Sequence, residues 1–181
     1  GSLVNRDTHH YGDIHRATLT GWRRVWRHTT RQPRPFLTVE PFADCAIDGL
    51  IAHVPGGDWV ALDNRAAGYD RVLVTDAVFH PAPQPIAIAT YAVPEGKHAR
   101  PTQDLPIALS YVDVVVDGYL REFGEAGAIN FFDTTAGWDA PFVDDRAAPR
   151  YSRHIPVSAQ ATALVDAQMH RLGVPPLCDG D

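Results

Sequence analysis

Leu62-Asp63-Asn64-Arg65-Ala66-Ala67-Gly68-Tyr69-Asp70-Arg71 is the stretch whose reading decides the fold, and local rules make it a short helix running into a strand. Gly56 and Gly57 supply a turn, and Asp58 is a suitable N-cap because its carboxylate can accept the unpaired N–H groups of a first helical turn. Trp59, Leu62 and Ala66 fall at helical spacing on one face. Gly68 is placed to end the helix as its C′ residue. Asp63, three residues before Ala66, shares that face with it.

Working outward, short runs rich in β-branched and aromatic residues predict strands over 19–26, 36–40, 46–54, 71–79 and 86–93. After Pro106 the period changes to that of a helix, with Leu109, Val112, Val116, Tyr119, Leu120 and Phe123 on one stripe, and Gly124 and Gly127 are expected to break it. An irregular stretch with Trp138, Pro141 and Pro149 follows. A last helix is expected from near Ser158, carrying Ala161, Leu164, Val165, Met169 and Leu172, with Gly173 and Pro175 as its stop. Strands first and helices later predict an α+β protein, a small mixed β-barrel with helices packed outside. The whole chain, 1–181, is expected to form a single domain with a C-terminal helical extension from about 125.

Composition restricts the function classes. At 181 residues and 45% hydrophobic, the chain can bury about two-thirds of its unfolded surface and needs no outside staple. The net charge of -6 gives no global attraction to nucleic acid or to an anionic membrane. Arg16, Arg23, Arg24, Arg27, Arg31 and Arg34 make one basic segment, but they alternate with Leu19, Trp22, Val25 and Trp26. The polar face of a barrel strand accounts for that pattern better than a nucleic-acid stripe. Cys45 and Cys178 are the only cysteines, too isolated for a disulfide framework or a zinc knuckle. With no apolar run of membrane-spanning length and no signal peptide, a cytoplasmic protein is expected.

The quoted stretch, read with Gly1-Ser2-Leu3-Val4-Asn5, resembles the γ-glutamylcyclotransferase superfamily, which carries a Y-G-S-L loop after its first strand and later an L-D-x-x-E segment closed by Y-x-R. Leu62, Asp63, Tyr69 and Arg71 stand where that family has them, whereas Ala66 occupies the position of the catalytic Glu. Arg65, Gly68 and Tyr69 match the R-E-x-G-G-Y pattern of the glutathione-degrading branch, apart from the Glu. Ala17-Thr18-Leu19-Thr20-Gly21-Trp22-Arg23-Arg24-Val25-Trp26 looks like the second family strand, and Ile47-Asp48-Gly49-Leu50 like the strand leading to the helix. Leu109-Ser110-Tyr111-Val112-Asp113-Val114 is similar to a P-S-x-x-Y-L-D-V-I helix start, and the segment from Asp144 to Tyr151 to a D-R-x-x-P-x-Y tail. The resemblance also implies an apolar strand and a Tyr ahead of Gly1.

The chemistry implied is cleavage of a γ-glutamyl amide by the substrate's own α-amine, which attacks the γ-carbonyl and releases 5-oxoproline and an amine. Such a reaction needs a carboxylate to carry a proton from the attacking ammonium to the leaving amine, together with N–H donors for the developing oxyanion. Gly1, Ser2, Leu3 and Val4 can supply the donors, because a glycine lets backbone approach a ligand and successive N–H groups form an anion nest. Tyr69 and Tyr111 are further substrate-binding candidates, and Tyr151 and Trp138 could line the same pocket or simply pack in the core. Ala66 cannot carry a proton, a loss that typically costs about 10²- to 10⁴-fold in rate. Asp63 is the nearest replacement carboxylate, with an alternative role as a structural partner of Arg71; Asp70 is another local candidate, or an exposed strand-end residue.

His9, His10, His15 and His28 cluster in sequence without the spacing of a metal site, so no metal and no cofactor are expected. No phosphate loop, dinucleotide fingerprint, nucleophile elbow or triad spacing occurs. Two function classes remain: a cyclotransferase acting weakly or in altered form on a γ-glutamyl amide, and a non-catalytic member that binds a small amino-acid-like ligand or serves as a scaffold. The expected partner in both is a small molecule, with no nucleic acid and no membrane.

Overall fold

The computed structural model describes residues 1–30, 35–83, 86–99 and 101–177. Nine strands and three α-helices appear among the described residues: β1 (His15–Thr29), β2 (Phe36–Ile51), α1 (Trp59–Arg65), β3 (Asp70–Leu73), β4 (Val78–Phe79), β5 (Ala89–Ala92), β6 (His98–Ala99), β7 (Ile107–Ala108), α2 (Leu109–Asp133), β8 (Thr135–Ala136), β9 (Phe142–Val143) and α3 (Ala159–Arg171). The expected α+β class holds. β1 is the hub: it pairs antiparallel with β2, β4 and β6, and parallel with β8. β3 pairs with β5, and β7 with β9.

Several boundaries differ from those the sequence suggests. The expected strands 36–40 and 46–54 are one strand, β2, which stops at Ile51. A register shift between Thr20 and Trp22 lets the antiparallel pairing with β1 continue past Pro41, and Gly21 supplies it with a positive φ of 73°. The expected strand 71–79 breaks into β3 and β4 around a 3-10 turn, Thr75–Ala77. There the Thr75 hydroxyl takes the backbone N–H of Ile88 at 3.0 Å, in place of a ladder bond. The strand expected over 86–93 narrows to β5. Gly124 breaks the helix as expected, leaving helical geometry (φ 69°, ψ -172°), but Gly127 does not, and a second helical segment of α2 runs on to Asp133. Arg31, Arg34 and Cys178 lie outside the described residues.

Capping follows the sequence closely. The Asp58 carboxylate accepts from Ala61 N at 3.2 Å to open α1, and the Ser158 hydroxyl does the same at α3. At the far end of α1 the chain turns through Ala66, and the left-handed residue is Gly68 (φ 99°), one position later than a C′ glycine would sit.

From Val112 to Tyr119 every residue of α2 is buried, so the helix runs through the interior rather than over it. Its apolar side meets Val4, Trp26, Leu37 and Phe142. Ala161, Val165 and Met169 of α3 are fully or almost fully buried as well. Its polar side is paired: Arg146 grips Asp113 with two bonds of 2.7 and 2.8 Å. The basic segment of β1 divides by face, since Arg23 and Arg27 both reach Glu40 while Arg24 points inward and is only 4% exposed.

Candidate functional site

α2 fixes the first five residues by direct backbone approach. A Cβ on Gly118 would lie 2.7 Å from Asn5 N and 2.8 Å from a Val4 methyl, so the absence of a side chain there lets chain and helix touch. Asn5, fully buried, donates through Nδ2 to Val114 O and to an Asp117 oxygen, both at 3.1 Å. Residues 2–4 form a 3-10 turn on this anchor.

The start of α2 and the 144–151 tail are clamped together by one buried carboxylate. Asp145 accepts from Ser110 N (2.8 Å), Ser110 Oγ (2.6 Å) and Arg150 N (2.7 Å). The clamp brings Tyr111 and Tyr151 ring to ring, centroids 4.4 Å apart and nearly parallel. The Tyr151 hydroxyl then donates to Ser2 Oγ at 2.6 Å. On the other side a Cβ at Gly1 would come within 2.9 Å of the Tyr111 hydroxyl. Burial, and then the neighbouring phenols Tyr69 and Tyr151, push the Tyr111 hydroxyl well above the usual tyrosine range, so it is a neutral donor at ordinary pH.

These elements enclose a cavity of about 1260 Å³. Gly1, Ser2, Leu3, Val4, Ala66, Tyr69, Tyr111 and Tyr151 all line it, so these sequence-chosen positions share one cavity, whereas Asp63 and Asp70 are not part of its lining. Tyr69 is held by an edge contact with Phe36 and by donation to Leu37 O at 3.0 Å. Trp138, the other aromatic candidate, is a core residue, stacked on Phe132 and Phe142. Asp63 accepts from the Tyr91 hydroxyl at 2.5 Å and lies 3.5 Å from Arg71. Its carboxylate thus serves a surface cluster.

Among the described residues the only carboxylates on the cavity wall are those of Asp13 and Asp48. Asp48 accepts the Thr18 hydroxyl at 2.9 Å, and neither carboxylate bonds the 1–4 loop. His9 meets that loop instead. Its Nδ1 accepts from Tyr11 N at 3.1 Å, which leaves Nε2–H to donate to Leu3 O at 3.0 Å. Burial, with help from the Arg65 charge, lowers its pKa and favours this neutral form. The remaining histidines diverge: His10 is exposed, His15 opens β1, and His28 is buried against Leu105 O. No group of three or more His, Cys, Asp or Glu side chains converges among the described residues.

Sequence reasoning did not find Gly118, Asn5 or Asp145, which position the wall, nor Arg153 on it. Only Asp145 had a signal, as part of the D-R-x-x-P-x-Y tail.

Comparison with known proteins bears on the fold. No protein-family model and no curated protein matches this chain. Among solved structures it is similar to a γ-glutamyl cyclotransferase, with a TM-score of 0.58, 12% identity, and coverage of 92% of this chain and 95% of that one. A protein of Arabidopsis thaliana solved in solution overlaps at a TM-score of 0.36 and 16% identity, over 71% of this chain and 83% of that one. The likeness to the cyclotransferase is one of fold: this chain has the α+β architecture on which that enzyme is built. Among the described residues, no helix is long and apolar enough to cross a membrane.

Proposed function

We propose that this protein binds a small γ-glutamyl-type ligand in the cavity, and that cyclisation of such a ligand to 5-oxoproline is weak or absent. The observation that carries the reading is that the 1–4 loop, the stacked Tyr111–Tyr151 pair and Ala66 line one cavity, with no carboxylate bonded to that loop among the described residues. In the reaction as the fold likeness suggests it, the ligand's α-amine bonds to its γ-carbon and the amide C–N bond breaks; the α-ammonium gives up two protons in becoming the lactam N–H, and the departing nitrogen takes up both and leaves as an ammonium. The 1–4 loop would hold the oxygen that gains charge, and the tyrosine pair would position the amino-acid headgroup. The proton carrier is the missing component. A non-catalytic binding role is favoured by the same wall, because Asp63 is engaged by Tyr91 and Arg71.

The test pairs calorimetric binding of γ-glutamyl amides with an assay for 5-oxoproline. Binding with release that is slow or undetectable is the expected result. If no γ-glutamyl compound binds, the ligand assignment fails; if release proceeds at the rate of a fully equipped cyclotransferase, the reading of the missing carboxylate fails.

A further inference from the structure

Arg65 and Arg153, both half-buried on the cavity wall, have no carboxylate within 4 Å among the described residues; buried Arg24 on the same lining also lacks one, but its guanidinium is taken up by Thr134, Tyr119 and the Asp48 carbonyl. Arg65, the last residue of α1, donates through Nη1 to Thr8 O at 2.9 Å and through Nη2 to the Thr8 hydroxyl at 3.3 Å. Arg153, two residues past Tyr151, has a single long contact, from Nη2 to Arg65 O at 3.4 Å. Other partly exposed arginines of this chain are held on carboxylates: Arg23 and Arg27 on Glu40, Arg146 on Asp113. An arginine has five N–H donors, so both guanidinium groups keep donors to spare.

Charge is uncompensated here as well. Burial and the repulsion of Arg153 lower the pKa of Arg65, and Arg65 in turn acts on His9 beside the 1–4 loop. Two like charges that repel each other, with spare donors on a cavity that Ser2 and Tyr151 also line, are an arrangement that an oxyanion stabilises. Thr8 accounts for two bonds of Arg65 and for none of Arg153.

We propose that Arg65 and Arg153 form an anion-recognition pair on the cavity wall, which takes an oxyanion, carboxylate or phosphate, at the end of the ligand remote from its amino-acid headgroup. The pair rests on the binding role argued above for its place in one ligand site, although its anion chemistry can be read separately.

The experiment measures three probes by calorimetry against the unmodified protein, Arg153→Gln and Arg153→Lys: γ-glutamylglycine, which ends in a carboxylate; γ-glutamylethylamide, which is neutral there; and inorganic phosphate. A ligand-borne carboxylate is the anion if γ-glutamylglycine binds about ten-fold or more tightly than the ethylamide, a preference that shrinks with added salt. Arg153→Gln should then abolish the preference while leaving the affinity for the ethylamide unchanged, and Arg153→Lys should restore part of it. If the two γ-glutamyl probes bind alike while phosphate binds the unmodified protein and not Arg153→Gln, the pair stands with a free anion as its ligand. Should neither γ-glutamyl probe bind, the ligand assignment fails and the phosphate arm still reads the pair. Anion effects that are absent, or that persist unchanged in Arg153→Gln, overturn the proposal.

Discussion

The Tyr151 hydroxyl donates to Ser2 Oγ at 2.6 Å, joining residues 149 positions apart at the centre of the candidate site. Ser2 is 8% exposed, so water is poorly placed to replace the bond. Tyr151→Phe keeps the ring on Tyr111 and removes only this donor. Thermal unfolding should show a loss of about 1 kcal/mol, and a γ-glutamyl ligand should bind several-fold more weakly. The double variant with Ser2→Ala should lose less than the two single losses summed, because they share one interaction.

Gly118→Ala sets two effects of opposite sign against each other. Alanine is favoured over glycine inside a helix by about 1 kcal/mol. The added methyl would lie 2.7 to 2.8 Å from the backbone of Asn5 and from Val4, an overpacking that typically costs about 1–3 kcal/mol. The contacted atoms are mainly backbone and cannot rotate away, so the clash wins. The melting temperature should fall by several degrees and ligand binding should weaken with it; a rise in melting temperature would contradict the close approach.

Ala66→Glu places a carboxylate on the cavity wall between Arg65 and Tyr69. Release of 5-oxoproline from a γ-glutamyl amide should rise by one or more of the roughly two to four decades assigned to general acid/base catalysis. Asp63→Asn is the companion measurement, expected to leave ligand affinity and any turnover unchanged because Asp63 is bound to Tyr91 and Arg71. A folded Ala66→Glu protein that is as silent as its parent would favour the binding role alone.

Alkaline pH should destabilise the protein from about pH 10 upward. Burial raises the pKa of the Tyr111 and Tyr119 phenols above that of a free tyrosine, about 10. The folded chain therefore holds protons that the unfolded chain has lost, and stability falls as pH rises beyond that value. Denaturant melts between pH 8 and 11 check the sign; a midpoint that stays flat to pH 11 would contradict it.

How much was legible depends on the range of the cause. Asp58 and Ser158 were readable as caps because a cap acts on the next three residues. The α2 stripe was readable through its period, and Tyr111 through the segment it opens. Gly124 was readable as a break in the helix, but not the second helical segment beyond it, whose Ala128, Phe131 and Phe132 pack into the core. Gly21 was read only as part of a strand motif, although it sits at the register shift, opposite residues 42–45 of β2, where two expected strands join into one. Asn5, Gly118 and Arg153 act across distances no local pattern encodes, Asn5 on residues more than a hundred positions away. Asp63 and Ala66 show the same division, since their spacing was plain and their separation onto cluster and cavity was not.

The pairing of β1 with β2 is a local event that closes a short loop, whereas the docking of residues 1–5 on α2 and on Tyr151 closes loops longer than a hundred residues. Chain entropy makes such closures costly and late. The candidate site is thus expected to form late, and mild denaturant or heat should open it while the β1–β2 ribbon is still protected from hydrogen exchange. A ligand that bridged the 1–4 loop and Tyr151 would therefore act as a clasp, drawing most of its effect on stability from keeping these two distant segments together.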